Sequence, residues 1–379
     1  MTDSTVSPPV FIGNEIFRRS RHGERHPLAI PRVSAVTDLC RSLGWLEDAR
    51  YVESRQATVD ELLVFHDRDY VEALLRAERG AALAPEEKRR FNIGINGNPI
   101  YGEIFSRPAT ACGATLTAVD RLVDGPGVVY SPAGGTHHGR PDRASGFCYL
   151  NDPVIGLLRF LDQGFERLLY VDIDAHHCDG VQDAFAGDSR VLMISIHESG
   201  RWPKTGAAAD DGGGSAINLP VDPGFNDSEM AFLRDEIVLP AIDRYAPQAI
   251  FLQTGSDALA EDPLSRLELS NGAIWDFVAA VRDLTSRLLV VGGGGYNPWS
   301  VARCWSGIWA TLNQLSLPTS LPDRAEAVLR DIQWYRSAGR NPPEHWFTTL
   351  RDEARPGPVR PSTVQVARDV PLRAKYGLC

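Results

Sequence analysis

The run Leu169-Tyr-Val-Asp-Ile-Asp-Ala-His-His-Cys-Asp-Gly180 begins as an apolar stretch of the kind that forms a buried strand, then presents Asp172, Asp174, His176 and Asp179 in close succession. Alternate positions from 172 to 176 are polar, so an extended backbone would project Asp172, Asp174 and His176 from one side. Such a strand end can hold a metal. A hydrolytic zinc site takes about three imidazole or carboxylate ligands and leaves one position for water. Asp174 and His176 supply two, and Asp257, which ends another apolar run, is the natural third. The plainer alternative is a strand end with a helix cap at Asp179. It accounts for one acidic residue, but not for four ionisable groups at the end of an apolar strand.

Two more features carry chemistry. His137 and His138 are adjacent, so separate partners must orient them, and the remaining carboxylates Asp172 and Asp179 are suited to fix their tautomers. Tyr296 follows Gly292-Gly-Gly-Gly295, where glycines permit a tight turn and a close approach to a ligand. A phenol there could donate a hydrogen bond to the oxyanion of a tetrahedral intermediate. A phosphate cradle is the competing reading of the glycines, but GxGxxG spacing, Walker spacing and a lysine are all missing.

These residues need a scaffold that brings them to one edge. Short apolar runs at 127–130, 168–171, 191–194, 249–252 and 288–291 leave no room for polar alternation, and most are separated by helical patterns near 151–163, 227–245, 271–286 and 298–314. That pattern predicts a three-layer α/β/α fold around a mainly parallel sheet. Ligands bind beyond the carboxyl ends of such strands, where each run here delivers polar residues. Earlier, Pro31 fits the start of a helix through Leu39 and Leu43, and a small-residue helix spans 109–122. Arg18, Arg19, Arg21, His22 and Arg25 form a basic cluster whose bland reading is a solvated loop, and 91–101 reads as a loop able to line a site. His22, His26, His66 and His345 are expected at the surface or in loops, and His197 in the core. One catalytic domain is expected over 1–379, with a core at about 10–315 and a Pro/Arg-rich extension over 316–379 packing on it.

Composition narrows the function. A net charge of -10 with no basic stripe argues against nucleic acid as a direct partner. Cys40, Cys112, Cys148, Cys178, Cys304 and Cys379 show no CxxC spacing, which points to a reducing compartment rather than a disulfide framework. The N-terminal residues lack a charged stretch followed by an apolar one, and no apolar run is long enough to span a membrane. A cytoplasmic protein is expected, and a homo-oligomer is compatible with the sequence.

Gly134-Gly-Thr-His-His138, Ser145-Gly-Phe-Cys-Tyr-Leu-Asn-Asp152, Tyr170 to Val181, Gln253-Thr-Gly-Ser-Asp257 and Gly292-Gly-Gly-Gly-Tyr-Asn297 closely resemble the zinc-dependent histone deacetylase family, most of all its bacterial branch of acetoin-utilisation proteins and related amidohydrolases. The resemblance runs from about residue 10 to 315 with its motifs in order. It implies the arginase-like fold, zinc on Asp174, His176 and Asp257, and His138 as general base and then acid. It also implies His137 as electrostatic partner, Asp172 and Asp179 behind the two imidazoles, and Tyr296 polarising the amide carbonyl. By the same resemblance Gly146, Phe147 and Trp202 wall a narrow acyl-lysine channel, with Leu264 at its mouth and Arg32 near an inner cavity. A potassium ion is implied on Asp172, Asp174, Ser195 and the backbone of His176 and Ile196.

The chain departs from the family pattern in three places. Cys178 stands where Gly is usual, which implies either an altered backbone or a thiol near the metal. The loop at Gly97-Asn98 lacks an Asp that many members use to hold a peptide, and the segment from Trp202 through Gly214 is shortened. The expected reaction is zinc-dependent hydrolysis of N-acetyl-lysine or a related acyl-amine, with acetylpolyamines as alternative substrates. An arginase-like two-metal hydrolase would need further ligands. A catalytically silent acyl-lysine binder would have no use for Tyr296 and His138 beside a complete ligand set.

Overall fold

A computed structural model describes residues 7–20, 22–23, 26–371 and 375. Arg21, Arg25, Cys379 and the first residues of the N-terminal segment lie outside them. Eight strands, β1 (Val10–Gly13), β2 (Tyr51–Glu53), β3 (Gly127–Ser131), β4 (Leu168–Asp172), β5 (Val191–Glu198), β6 (Ala216–Val221), β7 (Ala249–Gln253) and β8 (Arg287–Val291), form one sheet in the order β2-β1-β3-β8-β7-β4-β5-β6. Every pairing is parallel, so the sheet is wholly rather than mainly parallel.

Burial on both faces explains the unbroken apolar runs. Leu169 and Val171 of β4 pack with Trp305 and Ile274 on one side, while Leu168 and Tyr170 pack with Val119 and Val154 on the other. Helices Val33–Ser42, Asn271–Arg282 and Pro298–Leu312 cover the first face; Ser106–Asp124 and Asp152–Asp162 cover the second. This is the three-layer α/β/α arrangement.

Two helices start directly after site loops, and their caps show why. Asn151 accepts from the Val154 amide ahead of Pro153, and its Nδ2 donates back to the carbonyls of His137 and Gly139. Asn297 accepts from the amides of Trp299 and Ser300 ahead of a helix with Pro298 at its first position. The described residues beyond 316 pack onto the body through Trp334, Trp346 and Phe347, which gather around Trp299. Beneath it, the fully buried Arg303 approaches Asp352 to 2.6 Å. That approach lacks hydrogen-bond geometry, so the contact is an ion pair, while Arg303 Nε donates to the Thr349 carbonyl at 2.8 Å.

Candidate active site

The four central strands carry the site at their carboxyl ends. His137 and His138 follow β3, Asp172 to Asp179 end or follow β4, Asp257 follows β7 and Tyr296 follows β8. The β4 end does not stay extended as expected. Strand geometry stops at Asp172, and the chain bends because carboxylates capture backbone amides: Asp172 Oδ1 accepts from Asp174 N and Asp174 Oδ1 from His176 N, both at 2.9 Å. The bend separates the roles, with Asp172 serving His137 while Asp174 and His176 turn toward Asp257.

Ligand atoms of Asp174, His176 and Asp257 all lie within 4.8 Å of one another, and all three side chains are buried. Asp257 Oδ1 accepts from the Ala175 amide at 3.0 Å, leaving Oδ2 2.9 Å from His176 Nδ1. Burial, then the neighbouring Asp174 carboxylate, raises the Asp257 pKa, whereas at His176 the two carboxylates outweigh burial and raise it. Two buried carboxylates converging on one imidazole call for positive charge between them, and a divalent ion fits this donor set. The glycine run permits the approach: a Cβ on Gly294 would fall 2.0 Å from Asp257 Oδ2, and Gly293, at φ +137°, lies where other residues are strained.

Beside this centre stand two imidazole–carboxylate pairs. His137 Nδ1 lies 2.6 Å from Asp172, His138 Nδ1 lies 2.6 Å from Asp179, and the two Nε2 atoms are 3.0 Å apart. At His137 burial opposes charge, but Asp172 and Asp174 outweigh it and lift the pKa to about 9. At His138 burial and then the charge on His137 push the pKa down to about 3 against the pull of Asp179. The environments thus push the pKa values of two identical side chains in opposite directions.

A cavity of about 600 Å³ leads to this point, with Phe147, Trp202, Leu264 and Tyr296 among its walls. Phe147 sits at φ +68° and its amide donates to Asn98 Oδ1. The Trp202 ring packs on His138 at 4.6 Å, an approach only Gly146 allows, since a Cβ there would lie 2.4 Å from the indole. A smaller inner cavity of about 40 Å³ continues past Tyr296 to Leu28 and Arg32. Arg32 donates to the Gly293 carbonyl at 2.7 Å and lies over the Trp305 ring. Ser195 sits opposite Asp172 in the β4–β5 register, with Ser195 Oγ 2.9 Å from His197 Nδ1 and Ile196 next along the strand.

Cys178, at φ -76° and ψ 50°, packs in the apolar cluster on one face of the sheet; its thiol bonds to Ser195 near Asp172 and Asp179 and is not among the converging ligand atoms. His22 and His66 lie in loops as expected, yet both are buried rather than at the surface, whereas His26 is half-buried and His345 exposed. His66 is enclosed because the Asn151 amide donates to its Nε2 and its Nδ1 donates to the Arg140 carbonyl, both at 3.0 Å. Other site residues escaped the sequence reading. Tyr170 donates to Asp172 at 2.7 Å, and its spacing of two from Asp172 in one strand was the available signal. Asp262 accepts from the Tyr296 amide at 2.6 Å, and Arg140 pairs with Asp179; no local pattern marks either.

Comparison with known proteins decides the family. Residues 26–312 match the histone deacetylase domain. The chain belongs to the histone deacetylase family. Histone deacetylase 8 of Xenopus tropicalis is 34% identical over 299 residues, covering 77% of this chain and 80% of that protein. Histone deacetylase 9 of Arabidopsis thaliana is 36% identical over 309 residues, covering 79% and 72%. The crystal structure of an HDAC homolog from Aquifex aeolicus superposes with a TM-score of 0.91 at 34% identity, covering 96% of this chain and all of that one, and a structure of an HDAC homolog complexed with SAHA matches equally well. A histone deacetylase-type hydrolase is therefore the general class. Among the described residues no helix is long and apolar enough to cross a membrane.

Proposed function

We propose that this protein removes the acetyl group from N-acetyl-lysine in a peptide. The carrying observation is the pair of imidazoles, Nε2 atoms 3.0 Å apart, set beside the Asp174–His176–Asp257 cluster at the base of a walled tunnel. A zinc ion held by those three residues would supply Lewis-acid chemistry, polarising the acyl carbonyl and lowering the pKa of water. His138, kept neutral, accepts a proton from the attacking water and returns it to the leaving amine, while His137 keeps its charge beside Asp172. Tyr296 donates to the developing oxyanion, and Phe147, Trp202 and Leu264 strip water from the lysine chain. A potassium ion is assigned to Asp172, Asp174, Ser195 and the backbone of His176 and Ile196, on the strength of Asp172 and Ser195 facing each other across two strands.

The mouth favours acyl-lysine over acetylpolyamines. Among the described residues, those lining the larger cavity include Arg201, Asn92, Asn96 and Ser145 but no Asp or Glu, which supports this preference because none of them offers a distal ammonium a counter-charge. We read residues 1–379 as one catalytic domain because the described residues beyond 316 pack on the body through Trp334 and Trp346. Five buried free cysteines among the described residues support a reducing, cytoplasmic setting. The test is hydrolysis of a fluorogenic N-acetyl-lysine peptide and of N-acetylputrescine by zinc-loaded wild type and Tyr296→Phe. Peptide turnover that the variant loses by roughly 100-fold supports the reading; preference for acetylputrescine, or full activity in the variant, overturns it.

A further inference from the structure

The two imidazole–carboxylate pairs are held in place by different chemistry. Around Asp172 the partners are neutral: Oδ2 receives the Tyr170 hydroxyl and Oδ1 the Asp174 amide. Around Asp179 the partner is a cation. Asp179 Oδ1 faces His138 and also accepts from its neighbour's amide, Gly180 N, at 2.9 Å, whereas Oδ2 is taken by the guanidinium of Arg140. Among the described residues Oδ2 has no other partner.

Arg140 is itself anchored along its length. Its carbonyl accepts from His66 Nδ1, its amide donates to the Arg143 carbonyl at 3.1 Å, and the next carbonyl, that of Pro141, accepts from Asp67 at 2.8 Å. The side chain is 15% exposed and its second terminal nitrogen pairs with the exposed Asp183. The tautomer of His66 is fixed, since Asn151 donates to Nε2, so the bond to Arg140 can only run outward from Nδ1. A continuous path therefore runs from His66 through Arg140 and Asp179 to His138.

We propose that Arg140 is a positioning residue for His138: by occupying Oδ2 it fixes the rotation of the Asp179 carboxylate, so that Oδ1 stays in line with the imidazole N–H. Without the guanidinium the carboxylate can turn about its last bond, and the imidazole loses the fixed axis along which it passes a proton. Arginine suits the task because a planar fork sets orientation as well as charge, which the single charge of lysine does only in part.

The inference rests on the deacetylase reading, so the test combines kinetics with a spectroscopic signal that does not depend on it. In zinc-loaded protein, Arg140→Met is expected to lower kcat for an acetyl-lysine peptide by roughly 10- to 100-fold, the scale seen when an orienting partner is removed, with KM within about threefold. Arg140→Lys should recover most of kcat, and Asp183→Asn should leave it unchanged. In nitrogen-15 histidine-labelled protein the low-field Nδ1 proton of His138 should move or broaden in Arg140→Met and return toward its place in Arg140→Lys. An unmoved proton, a kcat within twofold of wild type in folded Arg140→Met, or Lys behaving no better than Met would overturn the proposal. If wild type turns over no acyl-lysine, the deacetylase reading falls, and the proton signal alone decides the role of Arg140. If Arg140→Met does not fold, Arg140→Lys against wild type decides it: a partial fall in kcat with a displaced proton supports the proposal, and no change in either refutes it.

Discussion

His66 is expected to make the protein sensitive to mild acid, and the size of the effect follows from its surroundings. Burial lowers its pKa from 6.5 to about 4, and protonation at Nε2 would break the bond from Asn151. Because the folded value lies below the unfolded one, the stability held by neutral His66 is complete above pH 6.5 and is lost as pH falls from 6.5 toward 4. Each pKa unit is about 1.4 kcal/mol, so the full loss is about 3 kcal/mol, of which about 2 kcal/mol is gone between pH 7 and pH 5. His66→Gln can keep one of the two hydrogen bonds and does not titrate. It should be less stable at pH 7 by about 1–2 kcal/mol, yet nearly level with wild type at pH 5. Urea titrations of both proteins at pH 7, 6 and 5, at equal zinc loading, measure the difference. Other buried histidines contribute equally to both and cancel. If the two stability–pH curves run parallel, His66 is not the titrating group and the reasoning fails.

Three further outcomes are expected. Asp257→Asn removes one of two carboxylates from the ligand cluster, so purified protein should retain under about one-tenth of the wild-type zinc by elemental analysis; full occupancy would mean the ion binds elsewhere. Asp352→Ala leaves Arg303 buried without a counter-charge and should cost about 3 kcal/mol in urea while kcat of the folded enzyme holds; a neutral result would show the pair idle. Glu198 grips Arg201 beside Trp202 and the Arg266 amide near Leu264. Glu198→Gln should therefore loosen both walls of the mouth and raise KM for an acetyl-lysine peptide by roughly fivefold, about 1 kcal/mol, with kcat unchanged; a fall in kcat alone would contradict this.

Strands β3, β4, β5, β7 and β8 and the helices between them were readable because burial on both faces demands continuous apolar runs. The three remaining strands were not. β1 and β2 have four and three residues, too few to show a period. β6 reads Ala-Ile-Asn-Leu-Pro-Val, a pattern disguised by Asn218 and Pro220, and it tolerates proline because it lies at the edge of the sheet. Candidate ligands were legible because they sit just past apolar runs. The bend after Asp172 was not, since it depends on carboxylates capturing amides within the loop itself. Arg140 and His66 were illegible for another reason: each matters through a partner far along the chain, and an isolated Arg or His in a polar stretch carries no mark of that.

The order of strands in space, β3-β8-β7-β4 across the centre, differs from their order in the chain. During synthesis, Asp174 and His176 emerge well before Asp257, and Tyr296 comes only after β8, so the proposed metal ligands and the proposed oxyanion donor are completed late and in separate steps. β4 cannot gain its inner neighbour β7 until residue 253 is made, and β3 cannot gain β8 until residue 291 is made. A nascent or truncated chain ending before β8 therefore exposes the apolar edges of two unfinished half-sheets and lacks Tyr296. On the proposed mechanism, activity can arrive only after the sheet closes and Tyr296 is in place, which ties the appearance of function to the completion of folding.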